Sequence, residues 1–118
     1  MKPRVHPADE AAIEKAFGEA VNLKAGEIRR WLDTDESKAV GITKRGEAES
    51  VGRQSARRII EILKGKKSER TESDYVHMRK VVGYVKRHGA QRPQGDVTNT
   101  RWRWSLMNWG HDPLKRDH

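Results

Sequence analysis

An all-α fold, a compact bundle of about five helices with one long mobile loop, is what this sequence predicts, and three observations predict it. Apolar residues recur at helical spacing in five separate stretches, several stretches begin or end on residues with capping chemistry, and most breaks between them are short. Amphipathic helices joined in this way bury their apolar stripes against one another. The chain divides into a disordered lead (1–6), a single helical domain (7–114, with the mobile loop at 33–49) and a disordered tail (115–118).

The first helix is expected over 7–21. Pro7 suits a first helical position, Asp9 and Glu10 favour the positive end of the helix, and Ile13, Phe17, Ala20 and Val21 follow at helical spacing. Asn22-Leu23-Lys24 breaks the pattern before a second helix over 25–32, in which Ile28, Trp31 and Leu32 face inward and Gly26 costs a little stability. Two helices so tightly joined could form a helix-turn-helix with Arg29 and Arg30 as readers. A plain αα-hairpin is preferred, because Glu10, Glu14, Glu19 and Glu27 give this half the wrong sign for a phosphate backbone. Residues 33–49 have two glycines, few apolar residues and no sustained period, so they read as the mobile loop, with Val40 and Ile42 making one anchoring contact.

The stretch from Ser50 to Lys67 serves two purposes. As a helix over 51–64 it puts Val51, Ser55, Ala56, Ile59, Ile62 and Leu63 on one side and Arg53, Arg57 and Lys64 on the other, with Ser50 as N-cap and Gly65 as the C′ residue. Glu61 falls on the basic side and interrupts it. After a polar turn carrying Lys66 and Lys67, Thr71-Glu-Ser-Asp74 resembles a capping box and opens a helix over 72–88. Its apolar stripe is Tyr75, Met78, Val81, Val82 and Val85; Arg79, Lys80, Lys86 and Arg87 gather opposite, with Gly83 in their midst relieving crowding. His77 and His88 flank the stripe as boundary residues. Residues 90–97 are a loop. Arg101-Trp-Arg-Trp104 alternates like a strand, but Trp102, Ser105, Leu106 and Trp109 fall at i, i+3, i+4 and i+7 and Gly110 supplies a stop, so a last helix is expected over 99–109, capped by Thr98 or Asn99.

Composition narrows the function. Of 118 residues 34% are hydrophobic and 36% charged, so the core must be small. With no cysteine, disulfides and thiolate metal sites are excluded, and the chain reads as cytoplasmic. The net charge of +8 is unevenly placed: residues 1–49 hold nine Lys/Arg against ten Asp/Glu, residues 50–118 sixteen against seven. A basic half of this kind gains from phosphate contact and counterion release, which favours nucleic acid as partner and would make the protein nucleoid-associated. The candidate contacts are Arg53, Arg57, Lys64, Lys66, Lys67, Arg79, Lys80, Lys86 and Arg87. Arg101, Arg103 and Trp104 join them, since exposed aromatics interleaved with arginine stack on unpaired bases. Trp102 and Trp109 are read as core, and Trp104 is left open. No metal-ligand spacing and no phosphate-binding glycine loop is present, and the adjacent His111 and Asp112 come with neither a nucleophile nor a third group. No enzymatic activity, cofactor, membrane partner or small-molecule substrate is expected.

The runs Gly52 to Lys64, Met78 to His88 and Trp102 to Lys115, with Val21-Asn22-Leu23, Glu27, Trp31 and Leu32 before them, resemble a family of small bacterial and fungal proteins catalogued as a domain of unknown function, from about Phe17 onward. Some members are labelled DNA-binding, and the resemblance implies the same direction as the charge; it carries over no catalytic residue. The leading expectation is therefore a non-enzymatic protein that binds nucleic acid, duplex DNA above all, through phosphate contacts of low sequence selectivity. The alternative is a module that docks an acidic or aromatic-seeking protein partner. A continuous acid-free basic stripe would favour the first, an exposed apolar patch rimmed by charge the second.

Overall fold

The computed structural model describes residues 6–115. Six helices follow one another: α1 (Pro7–Ala20), α2 (Ala25–Leu32), α3 (Asp35–Ala39), α4 (Val51–Lys64), α5 (Glu72–Gly89) and α6 (Arg101–Asn108), with a 3-10 turn at Lys67–Glu69 between α4 and α5. The five expected helices are all present, α2 and α4 with the expected ends. The disordered lead and tail expected at 1–6 and 115–118 lie outside the described residues, apart from His6, which caps α1, and Lys115, whose Nζ donates to Glu27 Oε1 at 2.7 Å.

Local capping explains where the helices start. Ser50 Oγ accepts from Arg53 N at the head of α4, and Thr71 and Asp74 form the reciprocal capping box of α5. Two terminal assignments change. Thr100, not Thr98 or Asn99, caps α6, with its hydroxyl accepting from Arg103 N; Asp96 holds Thr98 instead, accepting from both its backbone N–H and its hydroxyl. Gly65 does not take the left-handed conformation of a C′ glycine: it is the C-cap of α4, with extended backbone at φ −79°. Gly110 does take it, at φ +79°, and ends α6 where Val21 and Ile28 press against its bare Cα.

The helices pack chiefly in two pairs, α1 on α5 and α2 on α4, with α6 touching α2, α3, α4 and α5. Ile13, Phe17, Ile28, Leu32, Ile59, Ile62, Met78, Val81 and Trp109 are among the residues of the shared core, and a smaller cluster of Val97, Trp102 and Leu106 closes the far end. The pairing of α1 with α5 is also polar: Arg70 pairs with Glu14, whose other oxygen accepts from Tyr75 Oη at 2.9 Å.

The segment 33–49 departs most from expectation. It contains α3, capped by Thr34, and it sinks Ser37 and Val40 completely into the protein. No apolar period announces α3 because its contribution to the interior is polar. Ser37 Oγ donates to Asn108 Oδ1 at 2.6 Å and accepts from Arg53 Nη1 at 2.8 Å; the same Nη1 donates to Leu32 O at 2.7 Å. Asn108 Oδ1 also accepts from Trp31 Nε1 at 2.8 Å, and Asn108 Nδ2 donates to Ser37 O. Four helices are thus joined through one buried polar knot whose members satisfy one another.

Candidate nucleic-acid interface

The expected basic face of α4 is largely committed to holding the fold together. Arg53 was placed on the solvent side with Arg57 and Lys64; it is 7% exposed, at the centre of the polar knot, and its guanidinium also pairs with Glu49. It is a structural residue and is withdrawn from the candidate contacts. The reason is that the solvent side of an isolated amphipathic helix is covered here by α3 and the end of α2. Arg57 is exposed but gripped by Glu49, Nε to Oε1 at 2.7 Å and Nη2 to Oε2 at 2.9 Å. Arg57, with Arg53, holds the Glu49 carboxyl below the usual carboxylate range. Lys64, Lys66 and Lys67 are exposed, yet Glu61 and Glu69 share the cleft that Arg57, Arg58, Lys66 and Arg70 line. The stripe on α4 is therefore not acid-free.

The candidates on α6 are also largely engaged. Arg103 lies against Asp112 in a two-pronged pair, at 3.0 and 2.9 Å, and donates to Thr98 O. Burial opposes ionisation of Asp112, but the Arg103 pair and the Leu114 N–H outweigh it and hold the carboxyl below its ordinary value. Arg101, on the surface, donates to Ala39 O at 2.8 Å. Trp104 is half-buried rather than presented for stacking. His111 and Asp112 are tied to the α1–α2 junction, His111 Nδ1 donating to Ala20 O at 2.7 Å and Asp112 exchanging hydrogen bonds with Asn22. They staple the segment after α6 to the bundle.

The basic side of α5 is different. Arg79, Lys80, Lys86 and Arg87 are exposed and make no ion pair among the described residues. They stand at i−4, i−3, i+3 and i+4 around Gly83, so all four share one helix face. Gly83 has a specific use: a Cβ there would come within 2.8 Å of Arg87 Nη1, so the glycine lets that guanidinium lie down along the helix. From Tyr75 to Gly95 the chain has five Lys/Arg and no Asp or Glu.

Lys80 and Arg87 look across a groove of about 320 Å³ toward Lys44, a residue the sequence left in the mobile loop. The groove is also lined by Ile42, Val51, Gly52, Tyr84, Ser105, Asn108 and Trp109, with no acidic residue among them. The turn that carries Ile42 and Lys44 is held to α4 by a hydrogen bond from Val51 N to Ile42 O at 2.8 Å and passes through Gly41 at φ +95°, where only a glycine is relaxed.

Beneath the groove lies a column of rings. His77, Trp109, Tyr84, His88 and Trp102 follow one another with centroids 6.4, 4.3, 5.2 and 6.4 Å apart and nearly parallel planes, and Arg92 covers the outer Trp102 face at 5.5 Å. Trp109, just after α6, sits between His77 and Tyr84 of α5, and Trp102 of α6 ends the column against His88 of α5. Burial, together with the positive charge of Arg58 and Lys80, pushes the His77 imidazole down to about 4, so the ring is neutral where it meets Ser55 Oγ at 2.9 Å. Burial likewise raises the Tyr84 phenol. Trp109 was expected as core and is; the two histidines are links in the column rather than simple boundary residues.

Among the described residues no group of three His, Cys, Asp or Glu is placed to hold a metal, and no helix is long and apolar enough to cross a membrane. The fold and site together define a class: a small all-helical domain that turns the basic face of α5 and a shallow apolar groove to the outside. The sequence family described as Protein of unknown function (DUF3140) matches residues 16–107, and the chain belongs to that family. No curated protein and no solved structure matches it.

Proposed function

We propose that this protein binds nucleic acid without catalysing a reaction on it, through phosphate contacts from Lys44, Lys80 and Arg87, extended by Arg79 and Lys86 along α5. The observation that carries the reading is that α5 has no carboxylate after Asp74 and the groove has none in its lining, Glu47 standing with Lys44 and Lys80 around the adjoining cleft, whereas Glu61, Glu69 and Asp74 line the cleft beside α4. Cations with no internal partner are free to replace the counterions of a phosphate backbone, and contacts of this kind give affinity with little sequence selectivity.

Anisotropy titrations against short DNA, across a salt series, test the proposal. Lys80→Ala/Arg87→Ala should weaken binding roughly tenfold or more, as expected for losing two charge-assisted contacts, while Arg57→Ala, which removes a cation already neutralised by Glu49, should change little. No binding at low salt, or equal loss from both variants, overturns the α5 assignment.

A protein partner is the second reading, and Ile42 favours it: the side chain is 78% exposed at the edge of the groove, apolar and rimmed by Lys44. On that reading a glutamate-rich peptide should displace DNA at matched charge.

A further inference from the structure

The geometry points to the groove between residues 41–44, the start of α4, α5 and α6 as the seat of a single unpaired nucleotide, its base on the apolar floor and its phosphate among Lys44, Lys80 and Arg87. This rests on the nucleic-acid reading above and sharpens it, since it selects single strands or unpaired positions over a continuous duplex.

Three observations carry it. The first is the division of chemistry within the groove: a floor of Val51, Tyr84 and Trp109 and a rim of three cations without a carboxylate. That matches a flat, weakly polar body joined to an anion. The wider cleft beside Arg57, Arg58, Lys66 and Arg70 lacks this division, because Glu61, Glu69 and Asp74 line it too.

The second is a donor that the protein leaves open. Trp31 Nε1 donates to Asn108 and Trp102 Nε1 to His88 O, at 2.8 and 2.7 Å. Trp109 Nε1 has no such partner among the described residues, and it is not among the side-chain donors sealed from solvent without a partner. Water can meet this N–H in the free protein, and every base offers ring nitrogens or carbonyls that could replace it.

The third is the bare wall beside that donor. Trp109 Nε1 is 3.1 Å from where a side chain at Gly52 would begin, and Gly52 and Trp109 both line the groove. The glycine keeps open the approach to the indole edge.

A base in an intact duplex is stacked on both faces and hydrogen-bonded along its edge, so it cannot reach the floor. An unpaired base can, and its contact with the floor, made by Val51 and by the edges of Tyr84 and Trp109 whose faces the ring column occupies, tolerates any base.

The test combines affinity with a local reporter. Thymidine monophosphate is titrated into 15N-labelled protein while the indole N–H signals are followed, with inorganic phosphate and a phenylalanine-containing glutamate peptide as parallel probes. Binding of an oligothymidylate and a duplex of equal length is then compared for the parent and Gly52→Ala. We expect the mononucleotide to move the Trp109 signal and leave those of Trp31 and Trp102, phosphate alone to leave Trp109 unmoved, and the single strand to bind about tenfold tighter than the duplex, an advantage that Gly52→Ala removes. Should Gly52→Ala fail to fold, the Trp109 signal of the parent decides. Equal affinity for strand and duplex with an unmoved Trp109 signal overturns the seat and leaves phosphate binding standing. Absence of binding to either DNA overturns both, and a Trp109 shift with the peptide but not the mononucleotide gives the groove to a protein.

Discussion

Arg53 and Lys80 are both basic residues on amphipathic helices, and only their neighbours separate them. Arg53 lies under α3 with Leu32 O, Ser37 and Glu49 as partners, whereas Lys80 faces the groove with none. Arg53→Ala should therefore cost about 3 kcal/mol or more in urea unfolding, since it strands buried acceptors and an acid; Lys80→Ala should stay within about 0.5 kcal/mol. Their difference was not legible in the sequence, because Arg53 is buried by residues of a segment with no apolar period. Lys44 was missed for the same reason, and Ser37, a small polar residue among acids, carried no signal at all. His77 adds a pH dependence. Its folded value of about 4 lies below the ordinary 6.5, so the unfolded chain takes up the proton first and stability falls as pH drops from 6.5 toward 4. Because the ring is only partly buried and solvent screens its neighbours, the loss by pH 5 is about 1 kcal/mol, below the full value of the shift. Thermal melts at pH 7 and 5 should show it, and His77→Asn should flatten that part of the profile.

Elements were the most legible level. The ends of α4 and α5 follow from Ser50, Thr71 and Asp74, whose hydrogen bonds span three residues and need no tertiary knowledge. Thr71→Ala should cost about 1 kcal/mol. α3 was illegible because a five-residue helix has too little length for a period to register. On α5 the one costly residue is Gly83. Gly83→Ala should raise stability by up to about 1 kcal/mol through helix propensity, because what stands in the way is the mobile end of Arg87 and not backbone. It should also lift that guanidinium off the helix, so the same variant should alter DNA affinity, a pairing that calorimetric melts and anisotropy can read together.

At the scale of the whole molecule, the asymmetry of charge between the two halves of the chain was plain from the sequence, but the surface it creates was not. Arg53, Arg57, Arg101 and Arg103 lie where other helices or internal acids claim them, and the groove has its third cation because the turn at Gly41 brings Lys44 to face Lys80 and Arg87. One phosphate in the groove and one each at Arg79 and Lys86, neutralised on a single strand, predict a slope of log affinity against log salt of about −2, measurable by anisotropy from low to moderate ionic strength. The polar knot has a consequence for how the protein comes into being. Ser37 and Asn108 are 71 residues apart along the chain, yet each completes the hydrogen bonding of the other, and Trp31 waits on the same amide. While the chain is being synthesised, the α2–α3–α4 layer is left with an unmatched hydroxyl and indole until almost the last helix has emerged. Completion of this layer then waits for α6 rather than keeping step with elongation, and a chain halted at Thr100 should melt without a cooperative transition.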